Sequence, residues 1–78
     1  MSNKYNGHKN WNHWNVSLWI NNDEGLYYIA KACIKRNHTK TEAAEEFLSH
    51  MVNHMDIDKT PDGAPYSVSS IRAAMVGM

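Results

Sequence analysis

WNHWNVSLWINNDEGLYY, residues 11–28, is the stretch whose reading decides the fold of this 78-residue chain. It holds all three tryptophans and two of the four tyrosines, the side chains that bury the most area each and so weigh most in cores and interfaces. Asn10, just ahead of it, is a good N-cap, because its side-chain oxygen can accept from a backbone N–H left unpaired in the first helical turn. A first helix is expected from Trp11 to about Asn21. At roughly 100° per residue, Trp11, Trp14 and Leu18 form one stripe, while Val16, Trp19 and Ile20 lie on a different side. Together they cover roughly two-thirds of the circumference, well beyond the ~100° stripe of an ordinary surface helix. Such a helix is either wedged among others or carries a second apolar side meant for something else. Core packing is the default for Trp14 and Leu18, which leaves Trp11, Trp19 and Ile20 as the surplus from which a contact surface is drawn.

Working outward, Asn21-Asn22-Asp23 breaks the pattern: asparagine suits the left-handed turn that ends a helix, and aspartate suits the cap of the next. A second helix from Glu24 to about Arg36 sets Leu26, Ile29, Ala30, Cys33 and Ile34 on one narrow stripe. Asn37-His38 closes it, and Thr39-Lys40-Thr41-Glu42 has the spacing of a capping box. The third helix is expected to reach about Met55, with Ala44, Phe47, Leu48, Met51, Val52 and Met55 facing the core. The short link makes helices two and three an αα-hairpin. Residues 56–66, DIDKTPDGAPY, contain both prolines and read as a loop with a Pro-Asp-Gly turn. Ser67 can cap a last short helix, Val68 to about Val76, expected to fray at the chain end. Residues 1–10 read as a polar arm with an Asn6-Gly7 turn and Tyr5 as its anchor. The expected fold is one all-α domain, a small bundle of three main helices plus a short C-terminal helix.

Composition narrows the function. A chain this short hides only about 60% of its unfolded surface, so a partner or second copy would stabilise it. Acidic and basic side chains balance at eight each, so no long-range field draws it to nucleic acid or anionic lipid. A single cysteine, Cys33, precludes an intrachain disulfide, and neither a signal segment nor a membrane-length apolar run is present. A soluble intracellular protein is expected.

Candidate chemistry is thin. His50 and His54 stand i, i+4 on the third helix with Glu46 one turn earlier, but Met51 occupies the place of the general base in a zinc-protease motif. A solvent or border role is preferred to metal binding. Asp56, Asp58 and Asp62 begin like a calcium loop, yet Pro61 stands where glycine is needed and Ser67 where the bidentate glutamate belongs. Cys33 lies on a core stripe with no cationic partner beside it by local spacing. Lys31, Lys35, Arg36 and Lys40 make at most a small basic patch, too little for more than weak, salt-sensitive nucleic-acid contact. No cofactor, metal or catalytic group is expected, and a non-enzymatic role is preferred.

The run YNGHKNWNHWNVSLWINNDEGLYYIA, Tyr5 to Ala30, resembles small proteins encoded by bacteriophages and related mobile elements, which open with a YNG turn, a TWNV-like segment, an LW pair and an NDE-Leu-Tyr segment. This chain departs from the pattern at His8, where tryptophan is expected, and at His13, where threonine is expected. The resemblance implies a host-cell cytoplasmic accessory protein that binds and sterically inhibits a host protein, with a CRISPR effector or restriction enzyme as the expected target. Trp11, Trp19, Ile20 and Tyr28 are the expected anchors, and Lys31 and Lys35 would tune orientation. A homodimer, a small nucleic-acid-binding regulator and a His50/His54 metal protein are the rival readings.

Overall fold

A computed structural model describes residues 8–78. The arm's Tyr5 and Asn6-Gly7 turn lie outside the described residues. The chain forms α1 (Trp11–Asn22), α2 (Glu24–Arg36), α3 (Lys40–Asn53) and α4 (Val68–Met75), with no strand among the described residues. This is the expected all-α bundle. No described helix is long and apolar enough to cross a membrane.

Each helix starts on a side-chain cap. Asn10 accepts from His13 N at 3.0 Å, Asp23 from Leu26 N at 3.0 Å and Thr39 from Glu42 N at 3.1 Å. Asp23 works twice, because its own N–H donates to Trp19 O and so closes α1 before its carboxylate opens α2. The reciprocal capping box forms at Ser67 and Ser70, not at Thr39 and Glu42: Ser70 N donates to Ser67 Oγ, and Ser67 N to Ser70 Oγ. That box starts α4 as a full two-turn helix.

α3 stops at Asn53, short of the expected Met55. Asp56 adopts a left-handed φ of 55°, and Ile57 N donates to Met51 O at 2.9 Å. The bond joins residues six apart, one more than a 6→1 closure, so the chain turns back on the end of α3 with aspartate in the left-handed conformation that glycine more often supplies.

The buried core joins Val16 and Ile20 of α1, Ala30 and Cys33 of α2, Ala43, Ala44, Phe47 and Met51 of α3, and Ile71, Ala74 and Met75 of α4. The loop adds Ala64 and Tyr66, whose ring lies 6.3 Å from that of Phe47. The α3 face differs from the expected one: Ala43 is buried, whereas Val52 and Met55 are exposed. The reason is that α3 is flanked by both α2 and α4, so its buried arc widens around residues 43–51 and leaves the last turn at the edge.

Candidate functional site

α1 has two apolar sides, and Leu18 and Ile20 exchange the roles expected of them. Val16 and Ile20 are fully buried, drawn inward because α4, the most extensive neighbour of α1, needs a cover for its own Ile71 and Met75 stripe. Ile20 therefore cannot touch a partner, and Leu18 is not core. Trp11 and Leu18, at 39% and 36% exposed, face outward with the half-buried Trp14 between them. No tryptophan packs among the partly buried side chains that line the core cluster. The outward stripe has the spacing i, i+3, i+7, and α1 contains no Asp, Glu, Lys or Arg anywhere along it. The result is a neutral, aromatic ridge.

Trp19 serves the fold. Its indole N–H donates to Asp62 Oδ2 at 3.0 Å, and Asn15 Nδ2 donates to the same oxygen at 2.9 Å. Thr60 Oγ1 donates to Asn15 Oδ1 at 2.6 Å and accepts from Ala64 N at 3.0 Å. Asn15 and Thr60 are buried, where an unpaired amide or hydroxyl would be costly, so the network satisfies its own members. Thr60-Pro61-Asp62-Gly63 is a β-turn closed by Gly63 N to Thr60 O at 2.8 Å. Gly63, at φ 97°, supplies a left-handed conformation that other residues adopt only with strain. Asn15 and Trp19 hold the Asp62 carboxyl below its ordinary pKa by stabilising the charged form.

The clamped turn is one wall of an apolar groove, about 430 Å³, between the junction of α1 and α2 and the end of α3. Trp19, Leu26, Ile29, Met55, Ile57 and Pro61 line it, with Asp23 and Lys59 as its charges. Tyr66 closes the floor. Burial, and secondarily the Asp23 carboxylate, push its phenol pKa up.

The outer face of α2 is the second exposed feature. Tyr28 is 66% exposed and, with Lys31, Ala32, Ile34 and Lys35, lines a shallow depression of about 520 Å³. The Lys31 ammonium sits 5.9 Å from the Tyr27 ring centroid, within cation–π range. Arg36 leaves the basic patch, because it pairs with Glu46. Glu46 also accepts from Asn37 Nδ2 at 2.7 Å.

The chain belongs to a family of unknown function, DUF7249. The match covers residues 1–78. No curated protein and no solved structure matches the chain.

Within this DUF7249 member the remaining candidates divide clearly. His50 and His54 stack with ring centroids 5.4 Å apart, but Glu46, the third ligand that spacing suggests, is engaged by Arg36 and Asn37. Among the described residues no three or more His, Cys, Asp or Glu side chains form a group able to hold a metal ion. Cys33 does have a cationic neighbour, contrary to expectation: Arg36 Nη2 lies 3.9 Å from its sulfur. Burial, followed by Glu46, pushes the thiol pKa up against the opposing pull of Arg36, which disfavours the nucleophilic thiolate. Of the six expected contact residues, Trp11, Tyr28, Lys31 and Lys35 are exposed, Trp19 is half-buried in the turn clamp and Ile20 is core. Leu18 is exposed where core was expected and Trp14 is half-buried, and their membership of the Trp11 stripe was the signal.

Proposed function

We propose that this chain is a non-enzymatic accessory protein that binds a larger protein and blocks it sterically, gripping it with the outer ridge of α1. The observation that carries this reading is the ridge itself: Trp11, Trp14 and Leu18 at i, i+3 and i+7, with two of the three at least a third exposed, on a helix without charge. That spacing is how an amphipathic helix enters a hydrophobic groove, and tryptophan is among the side chains most enriched at interface hot spots. The target class, a component of a host defence system such as a CRISPR effector or restriction enzyme, is supported by the resemblance to phage-encoded proteins alone.

The test is a tagged pull-down from lysates of hosts that carry defence systems, run beside a Trp11→Ala/Leu18→Ala variant. A stoichiometric partner that the wild-type chain retains and the variant loses is the expected result. Equal recovery by both forms, or no stoichiometric partner from any host, overturns the proposal. In solution the free chain is expected to show the 9.0 kDa mass of one copy by light scattering; a dimer broken by the same double variant would mean that the ridge serves self-association.

A further inference from the structure

We infer that the outer face of α2 around Tyr28, Lys31 and Lys35 is a docking surface for a short, acidic, amphipathic segment of a protein partner. Lys31 and Lys35 stand one turn apart, and neither has a carboxylate partner among the described residues. Between and beside them the depression offers Tyr28, Ala32 and Ile34, so a ligand that fits carries carboxylates at helical spacing beside an apolar side chain. Lys31 is already steadied against the Tyr27 ring, which reduces the rotamer freedom lost when it meets an anion.

Charge around the patch selects for shortness. Arg36 is neutralised by Glu46, and the exposed Glu24 in the first turn of α2 stands one turn before Tyr28 and two turns before Lys31 on the same side of the helix. A long polyanion laid along the lysine face meets the Glu24 carboxylate and is repelled, whereas a segment of about two helical turns spans both lysines and ends before it. Total charge is zero, so no long-range field compensates for that repulsion. The chemistry therefore favours an acidic peptide over nucleic acid. This surface does not depend on the α1 ridge.

The experiment is a titration of the isotope-labelled full chain, followed by amide chemical shifts, with three probes: an amphipathic helical peptide bearing glutamates at i and i+4, the same peptide with glutamine in their place, and a single-stranded oligothymidylate. The acidic peptide should move the amides of Tyr28, Lys31 and Lys35, and binding should weaken about tenfold between low and physiological salt. A Lys31→Glu/Lys35→Glu variant with an unchanged circular dichroism spectrum should abolish the response, while Trp11→Ala/Leu18→Ala should leave it intact. That last variant separates failure here from failure of the α1 proposal. Equal shifts with the glutamine peptide, no shifts with the acidic one, or tighter binding of the oligothymidylate would each overturn the assignment.

Discussion

Asp62 shows how much one side chain can organise in a small fold. Its carboxylate takes two hydrogen bonds from α1, from Asn15 and Trp19, and so converts a proline-glycine turn into a wall of the groove. The buried partner that cannot be spared is Asn15. Asn15→Ala strands the Asp62 and Thr60 contacts and is expected to cost roughly 2 kcal/mol, read from chemical denaturation. Loss of the Trp19–Asp62 bond should also change the tryptophan emission of the folded state. Asp56 poses a backbone question instead. At φ 55°, aspartate is tolerated where a β-branched residue is a genuine outlier. Asp56→Val is therefore expected to be less stable than Asp56→Gly by about 1 kcal/mol or more, and a glycine variant as stable as wild type would agree with the left-handed closure of α3.

At the scale of the element, the two sides of α1 make opposite demands. Ile20 is fully buried and Leu18 is not, although they are two residues apart and equally apolar. Ile20→Ala should cost about 3 kcal/mol by opening a core cavity, whereas Leu18→Ala should cost under about 1 kcal/mol. Thermal melts of the two variants decide which side is inward, and equal losses would contradict the ridge. α4 depends on its cap: Ser67→Ala removes the box with Ser70 and is expected to destabilise by about 1 kcal/mol. Since α4 covers both α1 and α3, that loss should appear as a lower global midpoint and not as local fraying.

For the whole molecule, three lowered pKa values make stability sensitive to acid. Burial, then Lys9 and His8, hold His13 below its ordinary 6.5, beside Ser69 Oγ 3.0 Å from its Nε2. Arg36 and Asn37 hold Glu46 below 4.5, and Asn15 and Trp19 hold Asp62 below 3.8. Each group binds fewer protons folded than unfolded between its two pKa values, so its contribution is full above the ordinary value and is lost as pH falls through the lowered one. Melting temperature should begin to decline as pH falls below 6.5 and decline further below 4.5, as Glu46 and then Asp62 are protonated. His13→Gln should remove its share of the first decline. A variant with the wild-type profile down to pH 4.5 would show that His13 contributes none of it.

Local chemistry was legible in the sequence wherever a signal acts within a few residues. Asn10, Asp23, Thr39 and Ser67 started their helices because a cap needs only its own next turn. The narrow stripe of α2 faced inward because one helix face had no rival. The two stripes of α1 were separable from spacing alone, but which of them turned inward was not, since both are apolar and α4, far along the chain, makes the choice. The same distance hides the Asn15–Asp62 clamp and the burial of Tyr66, which lie in a stretch that looks like an ordinary loop. Periodicity along the chain therefore determined the helices, and the caps determined where each one starts. Only tertiary packing decided which side of α1 was left for a partner, because burial goes to the face that meets the largest neighbouring apolar surface.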